Sequence, residues 1–223
     1  MRTLYRWGGV AGVLAAAALV WVAVAVGVVM PAAGLGPPGP YPHYNPDSLL
    51  PFIRQRPVLF GLLNVGGGAV AALLALAFVT ALGERLREAG AAGRFGRTLA
   101  VVGTAALALE ALLWQGGVAA LARLQTTDPV AARHAFFALA GVIGSVDLLG
   151  TAAVGLGVLL LGSAMRSLPS YAGAGTVGML GGALLVASRI VPGRLLVGLS
   201  ALLAVVWLVW SGLLLRRETS RAP

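Results

Sequence analysis

The sequence contains no cysteine and no lysine, and each absence excludes a class of chemistry. Without cysteine the chain cannot form disulfides, thiolate metal sites or iron–sulfur clusters. Without lysine it cannot hold a cofactor as a Schiff base, which excludes a retinal protein. Its two histidines, His43 and His134, lie outside the long apolar stretches, so we do not expect a membrane haem held by paired histidines. The sequence therefore predicts no cofactor.

Charged residues are also scarce. They make up only 10% of the chain, against about 25% in a typical soluble domain. Hydrophobic residues make up 59%, and the mean hydropathy is +0.92. This composition is typical of a protein whose main solvent is lipid. We therefore expect one integral membrane domain over residues 1–223, with no separate soluble domain and with the lipid bilayer as its main partner.

All 16 basic residues are arginines, and the net charge is +9. In a soluble protein this excess would indicate nucleic acid. Here the arginines flank apolar stretches, so we interpret them as topology signals and as contacts for anionic lipid headgroups. We expect no nucleic-acid partner, and the sequence leaves a homo-oligomer open.

Six apolar stretches predict membrane-spanning helices, each of which needs about 20 residues. The first stretch is longer than the apolar part of a signal peptide, which is about 7–15 residues, so we interpret it as an uncleaved span. The predicted fold is thus an all-α, polytopic helical bundle. The predicted spans are residues 8–30, 58–82, 98–122, 135–162, 176–191 and 195–215.

The distribution of arginine predicts the orientation of this bundle. If the N-terminus is inside, ten arginines lie on the inner side and six on the outer side. Because positive residues are enriched in cytoplasmic loops, the sequence predicts that both termini are cytoplasmic. The expected location is the bacterial plasma (inner) membrane.

Residues 31–57 are predicted to be an extracytoplasmic loop, because they contain eight of the twelve prolines. Residues 48–55 can form a short interfacial helix whose apolar side chains, Leu49, Leu50, Phe52 and Ile53, face the membrane. The loop is a connector or lid, or else a ligand-binding segment. On the outer face, His43, Asp47 and His134 form a candidate site with ligand types that suit zinc, although nothing in the sequence fixes their distances.

Two predicted spans carry an acid near their middle, Glu110 and Asp147. A carboxylate there costs about 2.5–3.5 kcal/mol or more, so both require an explanation. Each lies about 18 Å from a membrane surface, at 1.5 Å per helical residue, and consecutive spans are antiparallel, so the two acids can face each other. The candidate intramembrane polar site consists of Glu110, Asp147, Asn64, Trp114, Gln115 and Thr151.

The neighbourhood of Asp147 also predicts packing and charge. Gly144, Thr151 and Gly155 share its helix face, and small residues there indicate a buried helix–helix contact. Arg189 falls near the outer end of the fifth span, where we expect it to reach the headgroups rather than pair with an acid. Without such a pair, burial and mutual repulsion favour the neutral acid, so at least one of the two acids is expected to be protonated at neutral pH.

The later spans resemble a group of bacterial six-helix membrane proteins of unknown function, the domain-of-unknown-function 4386 group. The resemblance covers about residues 50–217 and is carried by DLLG at 147–150, GLGVLLLG at 155–162, RSLP at 166–169, GMLGG at 178–182 and WLVWSGLLLR at 207–216. It implies a six-helix membrane architecture and supplies no catalytic residues. The proline-rich first loop departs from this pattern.

The sequence leaves three functions open. The first is a multi-pass membrane protein without catalysis, since no nucleophile elbow, metalloprotease motif or phosphate-binding loop occurs. The second is a small proton- or cation-coupled transporter or channel subunit, in which Glu110 and Asp147 line a hydrated cavity. The third is an intramembrane enzyme or a binder of a lipid-like ligand, which requires polar groups that converge in a cleft.

Overall fold

The computed structural model describes residues 2–35, 45–191 and 193–221, and these residues form helices joined by short turns. Six helices are long and apolar enough to cross a membrane, as the sequence predicted, and the described residues contain no β-strand. The seventh helix, α2, is short. In chain order the helices are α1 (Thr3–Ala32), α2 (Pro46–Gln55), α3 (Pro57–Arg85), α4 (Ala91–Leu124), α5 (Pro129–Arg166), α6 (Pro169–Ile190) and α7 (Leu195–Glu218).

Several helices begin at residues whose chemistry suits a helix N-terminus. The Asp128 carboxylate accepts a hydrogen bond of 2.9 Å from the Ala131 amide, and Pro129, which has no N–H, occupies the first turn of α5. In the same way the Asn45 side chain accepts from the Asp47 amide at 3.0 Å, and Pro46 begins α2. These caps start α5 well before residue 135, where its apolar stretch begins.

The six spanning helices form a closed ring. Each packs against its neighbour in the chain, from α3 to α7, and α1 packs against both α3 and α7. At the seam, Gly9 of α1 and Gly212 of α7 allow the backbones to touch, because a Cβ added at Gly9 would lie 2.5 Å from the Gly212 carbonyl oxygen. The centre of such a ring can be filled by side chains or by another molecule.

The contact between α5 and α6 is equally close. A Cβ added at Gly182 would lie 2.5 Å from the Gly155 carbonyl oxygen, and one added at Gly155 would lie 2.8 Å from Val186 Cγ2. Thr151 and Gly155 are buried, as the sequence predicted. For Gly144 the prediction is wrong, because an added Cβ there would meet nothing within 4 Å. Helix α6 ends at Ile190, close to the level of Asp147, so α5 continues past it and Gly144 has no partner helix.

Helix α2 does not face the membrane, which corrects the expectation for its apolar side chains. Its four large apolar residues are all buried, in one core cluster with Val118, Ala122 and Phe136 of α4 and α5. The expected membrane face is therefore turned inward, and α2 closes one end of the ring. These buried residues of α2 are Leu49, Leu50, Phe52 and Ile53.

The two ends of the ring differ in their ion pairs. The face that contains the start of α1, here called the N-terminal face, also contains the junctions α3–α4 and α5–α6 and the end of α7. There Arg85 Nε donates to Glu218 at 2.7 Å, and Arg97 Nη1 donates to Glu84 at 3.1 Å. These bonds join α3 to α7 and to α4. The opposite face, which carries α2, has a longer and more exposed pair, Asp47 with Arg133 at 3.9 Å.

The outer surface of the ring is apolar. Every spanning helix exposes large hydrophobic side chains, as expected where lipid replaces water as the solvent. Representative exposed residues, one from each spanning helix, are Leu14, Leu73, Leu112, Leu149, Leu180 and Leu202.

Candidate functional site

Asp147 is held by an ion pair. Arg189 Nη1 donates to Asp147 Oδ2 at 2.7 Å and Nη2 donates to Oδ1 at 3.0 Å, so the guanidinium binds the carboxylate with two parallel hydrogen bonds. Thr151, one turn further along α5, donates to Asp147 Oδ1 at 2.9 Å and accepts from Arg189 Nη2 at 2.9 Å. The three side chains form a closed hydrogen-bonded group that fixes α6 on α5.

This pair corrects the expectation that Arg189 reaches the headgroups. Arg189 lies three residues after Val186, which contacts Gly155 of α5, and its side chain meets α5 at Asp147. Asp147 therefore has a charged partner, which was not expected from the sequence. About a quarter of each side chain remains exposed.

Glu110 lies in a different environment, on α4 and toward the centre of the ring. It is near enough to Asp147 and Arg189 for both charges to act on it, and Trp114, one turn later, is within hydrogen-bonding reach of its carboxyl group. Among the described residues, however, Glu110 forms no salt bridge. Glu110 and Asp147, which occupy similar positions in their apolar stretches, therefore have different surroundings in the structure.

The centre of the ring contains a cavity of about 480 Å³. Side chains from all six spanning helices and from α2 line it, and most of them are aliphatic. Its polar residues are Asn64, Thr104, Glu110 and the two tryptophans Trp114 and Trp207. Asp147, Thr151, Arg189 and Gln115 are not among the residues that line it. Of the candidate intramembrane residues, the structure therefore brings Asn64, Glu110 and Trp114 to one cavity.

Two of these polar residues already donate hydrogen bonds to the backbone of their own helices. Asn64 Nδ2 donates to the Phe60 carbonyl oxygen at 3.1 Å, and Thr104 Oγ1 donates to the Ala100 carbonyl oxygen at 2.5 Å. These are local bonds within α3 and α4. The polar groups that remain for contacts across the cavity are the Glu110 carboxyl group, which Trp114 of the same helix can reach, and the ring nitrogen of Trp207.

Three adjacent helices contain π-helical turns beside this cavity. These turns cover Ala25–Val29 in α1, Leu62–Ala69 in α3 and Trp114–Val118 in α4. Each contributes residues to the lining. A π-helical turn contains one residue more than the α-helical turn that it replaces, and its hydrogen bonds have less favourable geometry. Such turns are frequent at functional sites. The three turns thus form part of the wall of the cavity that contains Glu110.

Gln115 and the outer-face candidates lie elsewhere. The Gln115 side-chain oxygen is buried with no hydrogen-bond partner in the described chain, and its amide group is near Gly61. Asp47 is paired loosely with Arg133, and His134 is exposed. His43 lies outside the described residues. Within residues 2–35, 45–191 and 193–221, no group of three His, Asp or Glu residues is placed to hold a metal ion, and the zinc site stays a prediction.

Sequence reasoning missed Trp207 and Thr104. Trp207 and Trp210 both lie near the end of the last apolar stretch, and the sequence offers nothing to distinguish them. In the structure Trp207 is 2% exposed and Trp210 is 43% exposed. Three residues on a helix turn the side chain by about 300°, which leaves the two side chains about 60° apart, so the boundary between the buried and the exposed face can fall between them. The direction of the ring centre, which decides between them, is a property of the assembled bundle.

The fold and this interior define a class: a polytopic helical bundle with six helices able to cross a membrane and an apolar, acid-bearing cavity between them. No protein-family model, characterised protein or solved structure matches the chain.

Proposed function

We propose that this chain is a non-catalytic protein of the bacterial plasma membrane that binds a lipid-like small molecule in its central cavity. The observation that carries this proposal is one carboxyl group, Glu110, on the wall of an otherwise apolar cavity of about 480 Å³. That volume lies within the range of about 300–1,000 Å³ found for small-molecule sites, which are mostly apolar with few polar groups. Glu110 would bind a hydroxyl or amine group of the ligand.

The distribution of charge supports binding over ion transport. A transporter that uses both acids needs them on one hydrated path. Asp147 is instead engaged by Arg189 and Thr151 and does not line the cavity. Among the described lining residues Glu110 is the one titratable side chain, so the cavity also offers no acid–base pair for catalysis.

Photolabelling tests this proposal. The protein in lipid nanodiscs is irradiated with a long-chain amine that carries a diazirine, and the labelled residues are mapped by mass spectrometry. Labels on cavity residues such as Leu107 or Leu185, removed by excess non-reactive amine, are the expected result. Labels confined to the outer surface of the ring would overturn the proposal.

A matched pair of variants on α3 controls for general effects on the helix. Ala72 lines the cavity and is 8% exposed, whereas its neighbour Leu73 is 58% exposed on the outer surface. Ala72→Trp fills the cavity and should abolish labelling of its walls, and Leu73→Trp should not. Glu110→Leu removes the polar group of the wall. In that variant the amine should therefore no longer bind more tightly than an alkane of equal length.

On this proposal both termini lie in the cytoplasm. The N-terminal face carries most of the arginines at the helix ends, including Arg87, Arg94, Arg166 and Arg217, which supports that orientation. Reporter fusions after Ala89, between α3 and α4, and after Pro223 should read cytoplasmic. A reporter inserted within residues 36–44 should read external. An external signal from the fusion after Pro223 would contradict the proposal that both termini lie in the cytoplasm. Membership in the six-helix group of unknown function is likewise a proposal, based on the apolar motifs of the later spans.

A further inference from the structure

The cavity wall carries a hydrogen-bond donor that the described chain does not use. Trp207 is 2% exposed, and its Nε1 is buried with no hydrogen-bond partner among the described residues. The same side chain lines the cavity. An indole nitrogen is a donor only, and a buried donor without an acceptor costs about 1–3 kcal/mol. This nitrogen therefore lacks an acceptor among the residues that the structure describes.

Two contacts hold the indole in place. Phe78 of α3 packs against it edge to face, with ring centroids 5.3 Å apart and an interplanar angle of 84°. On the other side, the nitrogen packs against Gly178 of α6, where an added Cβ would lie 2.6 Å from Nε1. Gly178 also lines the cavity. Glycine at this position thus lets the indole lie against the backbone of α6 at the cavity wall.

The charge of the cavity limits which acceptor can bind. No arginine is among the described residues that line it, and Glu110 lies on its wall, so an anionic group such as a phosphate or a fatty-acid carboxylate would have no cationic partner within the cavity. A neutral oxygen avoids this cost. Asn64 and Thr104 direct their donors to their own helices.

We infer that the ligand of this cavity carries a neutral acceptor oxygen, a carbonyl or an ether, to which Trp207 Nε1 donates a hydrogen bond. The inference rests on the proposed function and deepens it. The ligand class is a lipophilic molecule with two polar positions: a hydroxyl or amine for Glu110 and a neutral oxygen for Trp207. The body between them is apolar, as the cavity wall is.

Competition between two matched probes tests the inference. In nanodiscs, 2-tridecanone and tridecane compete with the photoreactive long-chain amine for the cavity, and the ratio of their competing strengths is measured. Lipid partition is the same for every variant, so a change in this ratio reports the contact with the protein. The ratio should fall by about five- to tenfold when the indole N–H is removed, as expected for one neutral hydrogen bond.

Two changes remove the N–H. Trp207→Phe is the simple variant, and an isosteric benzothienylalanine at position 207, with sulfur in place of N–H, keeps the packing on Phe78. Trp210→Phe, on the exposed face of the same helix, is the control and should leave the ratio unchanged.

The outcomes separate the two proposals. If the amine labels the cavity but the ratio is the same in wild type and in the benzothienyl protein, Trp207 does not bind an acceptor and the inference is overturned, while the proposed function stands. If no cavity residue is labelled, the proposed function fails and the inference fails with it. A fall in the ratio in both position-207 proteins, absent from Trp210→Phe, supports both.

Discussion

Asp147 and Glu110 have similar surroundings in the sequence and different surroundings in the structure. Asp147 receives two hydrogen bonds from Arg189 and one from Thr151, all between 2.7 and 3.0 Å. Glu110 has Trp114 nearby and otherwise adjoins the apolar walls of a cavity. One acid therefore joins two helices, and the other remains for a ligand.

The difference arises from the height at which a partner helix ends. Arg189 is the second-last residue of α6, and the glycine contact of α5 with α6 sets α6 so that this residue reaches Asp147. Among the described residues no arginine forms a salt bridge with Glu110. The depth of an acid in a membrane thus indicates that it needs a partner, but the register of the neighbouring helix determines whether the protein provides one.

The largest expected effect is on the ion pair. Asp147→Asn keeps the shape of the side chain but leaves Arg189 without a carboxylate, so it should destabilise the bundle by about 2–3 kcal/mol. This is below the full cost for a buried pair because each side chain is about a quarter exposed. The free energy of unfolding is measured by titration with a denaturing detergent, followed by circular dichroism.

A double-mutant cycle provides the control for that measurement. Arg189→Gln alone should cost a similar amount, while Asp147→Asn with Arg189→Gln should cost clearly less than the sum of the two single changes. If the costs are additive, the two side chains are not coupled, and the contrast between Asp147 and Glu110 would lose its physical basis.

A smaller effect is expected from the glycine contact that sets the register. Gly155→Leu forces a side chain against Val186 and the Gly182 carbonyl oxygen, and should destabilise the bundle by about 1–3 kcal/mol. Gly144→Leu, on the same helix, meets open space and should be neutral or slightly stabilising, since glycine weakens a helix. The same detergent titration measures both. Equal losses for the two variants would mean that α5 and α6 do not pack as described.

Much of this architecture could be predicted from the sequence. The apolar runs predict the six spanning helices, because burial in lipid requires continuous apolar stretches whatever the packing. The small residues Thr151 and Gly155 also indicate a helix contact correctly. Proline and a preceding capping residue mark the starts of α2 and α5. Each of these features depends on the residues of a single segment of the chain.

Features that depend on several segments could not be predicted. The pair of Asp147 with Arg189 joins residues 42 positions apart and depends on where α6 ends. Gly144 was expected to pack because it shares a face with Gly155, yet it lies beyond the end of its partner. Burial of α2 depends on apolar residues of α4 and α5 that only the assembled ring brings beside it. The contrast between Trp207 and Trp210 has the same origin.

The smallest effect on stability is expected at Glu110, and this expectation tests the comparison most directly. Glu110→Gln has nearly the same size, keeps an oxygen that Trp114 can reach and breaks no salt bridge, so the free energy of unfolding should change by less than about 1 kcal/mol. Asp147→Asn is the same chemical change one helix away and should cost two to three times more, at about 2–3 kcal/mol. When the two variants, Glu110→Gln and Asp147→Asn, are measured in the same detergent titration, systematic errors affect both equally. If Glu110→Gln destabilised the bundle as much as Asp147→Asn, Glu110 would be a structural contact within the ring. Its carboxyl group would then not be free for a ligand.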